Sequence, residues 1–184
     1  MARIDGERVF LSAFRRDVYS ILHRWLSDPE LARDISWRGH PQTLRETERF
    51  VEAQVRGIDP LNRAFIIHLR ESATPIGTTG CYNIDWGHRS GEIGIVIGEK
   101  RCRRQGYGTE SMKLMLAFGF RELALHRLYL RVFDFNEGAL KSYPKCGLVE
   151  EGRLREAYYR DGRFHDIVIM SMLSDEFAFS KAGF

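Results

Sequence analysis

Cysteine is scarce in this chain. Cys81, Cys102 and Cys146 are the three among 184 residues; they lie far apart and form no CxxC pair. That argues against a disulfide framework or a zinc site and fits a reducing compartment, so no metal is expected. Long apolar runs are missing too. No stretch approaches the ~18 apolar residues of a membrane span, and the opening MARIDGERVF holds no signal-peptide core. The expectation is a cytoplasmic protein with no membrane partner. Charge of one sign is also lacking: a net charge of +3 does not by itself call for nucleic acid, and none is expected as a partner. With no repeats, low-complexity segments or linkers, 1–184 reads as one domain, ending in a short tail over 174–184.

What is present is an ordinary globular composition, 43% hydrophobic and 29% charged, organised around one stretch from Gly91 to Phe120. Glu92 to Gly98 is apolar and β-branched, with Ile93, Ile95, Val96 and Ile97, as in a largely buried strand. Met112, Met115, Leu116, Phe120 and Leu123 recur at steps of three and four and mark one face of a helix. Between them lies the basic, glycine-bearing turn Arg103-Arg104-Gln105-Gly106-Tyr107-Gly108-Thr109. A helix N-terminus presents unpaired N–H groups and partial positive charge, which attract phosphate. Gly106 and Gly108 let an anion approach the backbone, Thr109 offers a hydroxyl, and Lys100, Arg101, Arg103 and Arg104 add charge. The plainer alternative is a capped surface helix with a solvated basic turn.

Taken in order, Arg8 to Phe14 reads as a strand, and Arg16 to Leu26 as a helix that Asp28-Pro29 breaks. Leu31 to Gln42, with Trp37 and His40, reads as a loop. Thr43 and Glu46 have the spacing of a capping box opening a helix to about Val55. Strands are expected over Ala64–Leu69, Ile76–Ile84, the Glu92 stretch and Arg127–Phe133. Asn136 opens a short helix to about Tyr143, and Leu148–Arg155 and Phe164–Met172 form a hairpin around Asp161-Gly162. The order β-αα-βββ-α-β-α-ββ implies an α/β fold (α+β mixed sheet), largely antiparallel, with helices on both faces.

The spacing Arg103-x-x-Gly106-x-Gly108 resembles the acetyl-CoA diphosphate loop of the GNAT acetyltransferase superfamily. GYGTE, followed by RVFDFNEGALKSYPKCGLVEEGRLREAYYRDGRFHDIVIM, is similar to the branch holding Rim-type ribosomal-protein and spermidine acetyltransferases. The resemblance spans roughly Arg8 to Leu173. It implies a GNAT-like fold, acetyl-CoA as co-substrate and N-acetyltransferase activity. It also implies that Arg103, Arg104, Gln105, Gly106, Tyr107, Gly108 and Thr109 hold the diphosphate, and that main-chain groups of Ile95, Val96 and Ile97 hold the pantetheine arm and acetyl oxygen. Tyr143 stands seven residues beyond Asn136, where these enzymes place the tyrosine that protonates the departing CoA sulfur. Asn136 is either a contact to the pantetheine amides or simply an N-cap. Pro144 departs from the family pattern and is expected to disfavour helical backbone at Tyr143.

Direct transfer also needs a base, because near pH 7 only about one primary amine in a thousand is unprotonated. Glu92, acting through water, is the candidate, with His88 and His40 behind it. The acceptor is left open as a polyamine, another small amine or a protein N-terminus. Trp37 and His40, Tyr82, Trp86 and His88, and Tyr158 and Tyr159 are the candidate cleft walls. Glycines at 91, 94 and 98 suggest close approach by a backbone or ligand, and Phe177, Phe179 and Phe184 offer a contact for a homodimer. Two rival readings remain. One is a non-catalytic RNA- or ribosome-binding module using Lys100–Arg104. The other is a dinucleotide oxidoreductase, which the lack of repeated βαβ units disfavours.

Overall fold

The computed structural model describes residues 3–35, 42–57 and 59–179. Eight strands form one sheet in the order β1-β2-β3-β4-β5-β6-β8-β7: β1 (Arg3–Asp5), β2 (Val9–Ser12), β3 (Arg63–Leu69), β4 (Pro75–Asp85), β5 (Ser90–Ile97), β6 (Arg127–Phe133), β7 (Val149–Arg160) and β8 (Arg163–Leu173). Every neighbouring pair is antiparallel except β5 and β6.

Alternation along the strands builds two cores. Phe65 and Ile67 of β3 face one side, against helix α4 (Tyr107–Ala117), where Met112, Met115 and Leu116 are buried. Ile66 faces the other, against α1 (Tyr19–Leu26), α2 (Pro29–Ile35) and α3 (Leu44–Arg56), through Leu22, Trp25, Leu31 and Val51. The mixed sheet with helices on both faces is as expected.

Three elements differ from expectation. β1 was not anticipated; three residues are too few to show a period, and the strand is held by pairing with β2. Asp28-Pro29 does not simply break structure but starts α2: Asp28 Oδ1 accepts from the Glu30 N–H at 3.0 Å, and proline is tolerated in a first turn, where its missing N–H has no partner to lose. The expected loop from Leu31 is therefore helical to Ile35, whereas Trp37 and His40 lie outside the described residues. Finally, α4 stops at Ala117 and runs on as a π turn over Phe118–Glu122.

The feature that makes a site is the junction of β5 and β6. They pair at only three positions, Ser90↔Arg127, Gly91↔Leu128 and Glu92↔Tyr129. Beyond these, β5 continues to Ile97 along β4, and β6 continues to Phe133 along β8. From Ile93 and Leu130 onward the two strands part, and among the described residues each has one edge free of a neighbouring strand.

Candidate active site

A cavity of about 370 Å³ occupies the gap. Ile93, Gly94, Ile95 and Val96 line it from β5, and Leu130, Val132 and Phe133 from β6. Thr78 and Tyr82 of β4, Asn136 and Tyr143 complete the walls, with Asp34 on the rim. Ile97 is not among its lining residues; it sits at the far end of β5, its Cγ1 3.6 Å from where a Cβ on Gly108 would stand.

Gly108 belongs to the first turn of α4, whose N-cap is Gly106 at φ +86°, a left-handed geometry that suits glycine. Among the described residues no side chain caps this helix. The contrast with α3 is direct, since there Thr43 and Glu46 form the expected capping box. The first amides of α4, at Tyr107, Gly108 and Thr109, precede the first intrahelical bond, from the Glu110 N–H to the Gly106 carbonyl. They form an open donor array at the end of the β5 edge. Thr109 Oγ1 lies 2.8 Å from Ser142 Oγ, and Cys146 Sγ contacts the Thr109 carbonyl at 3.6 Å, tying the array to the segment that carries Tyr143.

Arg103 and Gln105 are bonded to backbone of their own chain, and Arg104 stands exposed. Arg103 donates from Nε to the Ile97 carbonyl (3.0 Å) and from Nη2 to that of Gly98 (3.3 Å), and it pairs with Glu30. Gln105 donates to the Arg101 carbonyl. Arg104 is exposed with φ +60°. Lys100 is engaged by Asp28 (3.3 Å) and Glu30 (2.7 Å), so two members of the basic cluster are matched by carboxylates of the same chain.

Tyr143 follows α5 (Glu137–Ser142) in a 3-10 turn over Tyr143–Cys146. Pro144 falls in that turn, and Tyr143 keeps helical backbone angles (φ −64°, ψ −39°), so the expected loss of helical backbone does not occur. A 3-10 turn tolerates the missing N–H that an α-helix interior would not. Burial, reinforced by Cys146, pushes the Tyr143 phenol up to about 12. Asn136 is the N-cap of α5, its Oδ1 accepting from the Ala139 N–H at 3.1 Å, and it lines the cavity as well.

Glu92 also lines the cavity, its side chain only 14% exposed. Arg131 holds it in two bonds, Nε to Oε1 (2.8 Å) and Nη2 to Oε2 (2.9 Å), and Asn83 Nδ2 donates to Oε2 (3.2 Å). A carboxylate has about four lone-pair positions, so capacity for a water remains on Oε1. Asp34, at the exposed rim, has its carboxyl pushed above the ordinary range by desolvation, against the pull of Arg33 and Arg103. Asp34, Asn83 and Arg131 were missed by sequence reasoning. Asp34 was hidden by the loop reading of α2, while Arg131 stood in plain view on an expected strand.

The aromatic expectations divide. Tyr82 is in the wall, and Tyr158 backs it by stacking on Phe133 at 4.3 Å. Tyr159 is 63% exposed and packs on Phe164 instead. Trp86 donates to the Pro60 carbonyl, and neither it nor His88 lines the cavity. The strand glycines divide: a Cβ on Gly91 would overlap Cys81 and one on Gly98 would overlap the Trp25 indole, so both make room for side chains of this chain, whereas Gly94 lines the cavity. Phe177 packs within its own chain, 5.1 Å from Phe120, while Phe184 lies outside the described residues.

The chain is similar to known proteins in sequence and in overall structure. Residues 8–149 match the family model of an acetyltransferase (GNAT) domain. The spermidine N(1)-acetyltransferase of Vibrio cholerae serotype O1 is 31% identical over 119 residues, covering 65% of this chain and 68% of the relative. An uncharacterized N-acetyltransferase, p20, of Bacillus licheniformis is 24% identical over 178 residues, 97% of this chain and 99% of that one. Among solved structures, a crystal structure of the Vibrio cholerae spermidine N-acetyltransferase with CoA and spermine aligns with a TM-score of 0.85 at 25% identity, over 94% of this chain and 99% of that one. With strands that part over a cavity, an uncapped helix at its end and a family match over most of its length, the chain belongs to the GNAT acetyltransferase family.

Proposed function

We propose that this protein acetylates a cationic primary amine, with a polyamine as the first acceptor to test, by direct attack of the amine on acetyl-CoA. The observation that carries the reading is one line of features: the uncapped amides of Tyr107–Thr109, the free β5 edge, and Tyr143 on the facing wall. The residues fit the co-substrate. Gly106, Tyr107, Gly108 and Thr109 would hold its diphosphate, with Arg103, Arg104 and Gln105 setting the turn, and the open edge of Ile95, Val96 and Ile97 would pair with its amide-bearing arm. Asn136 adds a polar group on the opposite wall.

In the reaction, Glu92 takes the amine proton through a water. The freed amine nitrogen forms its bond to the thioester carbonyl carbon, the carbon–sulfur bond breaks, Tyr143 O–H supplies the proton to the sulfur, and the second proton that the nitrogen sheds on becoming an amide passes through water to restore the phenol. A main-chain N–H on the β5 edge faces the oxygen on which negative charge grows, a contact worth roughly 3 kcal/mol in other enzymes. Asp34 on the rim favours an acceptor with positive charge, as does the spermidine-acetylating relative, whereas the charge of Glu92 is matched by Arg131. The RNA-binding alternative is weakened by the pairing of Lys100 and Arg103 with Asp28 and Glu30.

The test is thiol release from acetyl-CoA across polyamines, aminoglycosides and N-terminal peptides. Polyamines should turn over best, and Asp34→Asn should raise their KM severalfold while leaving that of acetyl-CoA unchanged. No turnover with any amine, together with no CoA binding, would refute the reading. Turnover only with peptides would refute the acceptor assignment alone.

A further inference from the structure

Glu110 stands in the first turn of α4, one residue past Thr109, where its negative charge would oppose a diphosphate on the neighbouring amides. The structure shows that charge turned back and matched. Glu110 Oε1 accepts from the backbone N–H groups of Arg8 (2.7 Å) and Val9 (3.1 Å), and Oε2 accepts from Arg8 Nε (3.1 Å). The same guanidinium donates from Nη1 to the Gln105 carbonyl at 3.1 Å and lies 4.9 Å over the Tyr107 ring. A Cβ on Gly106 would meet Arg8 Nη2 at 3.0 Å, and one on Gly6 would meet Glu110 Oε1 at 2.8 Å, so the seat is built closely around this pair. Arg8, at the edge of β2 and about a hundred residues from the turn, thus touches three successive parts of it.

We infer that Arg8 is a positioning residue for acetyl-CoA: it neutralises Glu110 and fixes the turn, keeping the amides of Tyr107–Thr109 an anion seat. The inference rests on the reading of that seat given above. Loss of the guanidinium leaves one uncompensated carboxylate beside the seat, an effect of about tenfold in affinity for a charge pair near a protein surface.

The experiment measures CoA binding by calorimetry and steady-state kinetics on the full chain. Arg8→Ala should raise the Kd for CoA and the KM for acetyl-CoA about tenfold, with kcat and the acceptor KM within about twofold. Adding Glu110→Gln to Arg8→Ala should recover most of that loss, because the glutamine still accepts from the Arg8-position and Val9 amides without the charge. Glu110→Gln alone should bind CoA as tightly as the wild type or tighter, and it decides the matter if Arg8→Ala does not fold. An unchanged Kd in folded Arg8→Ala overturns the inference. So does failure of Glu110→Gln to recover the double variant, which would mean that Arg8 touches the phosphates itself, and so does weaker binding by Glu110→Gln alone. If wild-type protein binds no CoA, the failure lies with the seat, not with Arg8.

Discussion

In the proposed reaction, Tyr143 concentrates the chemistry into one hydroxyl. Its burial and the resulting rise to about 12 keep it protonated through any ordinary assay, so it always has a proton to give to a thiolate. Tyr143→Phe removes that proton and little else. It should lower kcat by about a hundredfold or more while the KM for acetyl-CoA stays within about twofold, because the donor acts mainly in the transition state. Stopped assays of kcat and KM with a saturating amine check this, and equal losses in both would make Tyr143 a binding group. Between pH 7 and 9 the rise of rate with pH should then follow deprotonation of the acceptor amine and not Tyr143. Glu92 works differently, because Arg131, two residues beyond the β6 partner Tyr129, reaches back to its carboxylate where β5 and β6 begin to part. A residue that holds the apex of the gap has a structural duty beside any chemical one.

At the scale of elements, two helix starts carry opposite instructions. α3 is closed by Thr43 and Glu46, whereas α4 is left open. Thr43→Ala should therefore cost about 1 kcal/mol of stability, read by urea denaturation, with kcat/KM of the folded protein unchanged. A loss of activity at full folding would show that α3 reaches the site. This difference was partly legible in the sequence. The Thr43–Glu46 spacing announced a cap, whereas Gly106-x-Gly108 signalled only room for an anion at a helix start, with a capped surface helix as the alternative. The strands from Ala64 onward were legible, β3 and β5 through their β-branched residues and β6 through the alternation of Leu128, Leu130 and Val132, although β7 runs to Arg160 and not to Arg155 as expected. α2 was not, because Asp28-Pro29 is the same dipeptide whether it stops one helix or starts the next, and only the Asp28–Glu30 bond decides. Nor was the parting of β5 from β6, since nothing in either strand's own pattern records where its partner leaves. Arg131 and Asp34 were invisible as site residues for that reason: each matters through what the gap brings near it.

Across the whole molecule, carboxylates staple distant elements. Glu151 of β7 reaches over β8, where Ser171 Oγ donates to it at 2.7 Å, to Arg127 of β6. Glu52 of α3 accepts from Arg16 and Tyr19. Each is held at about 2, Glu151 chiefly by Arg127 and Glu52 chiefly by Arg16. A carboxyl whose folded value lies below the ~4.3 of the open chain adds stability that is complete above that value and disappears as pH falls toward 2. The melting temperature should thus fall between about pH 5 and pH 2. Glu151→Gln should flatten that slope, and a slope unchanged in this variant would show that the staple contributes nothing.

The short seam at Ser90–Glu92 has one more consequence. An unclaimed β edge greets whatever carries peptide-like groups along an extended line, much as it would greet a guest strand. A thioester stripped of such groups is no equal to one that bears them, however good its acetyl. On the proposed reading, discrimination among acyl donors would be written in the backbone, where substitution of side chains cannot easily erase it.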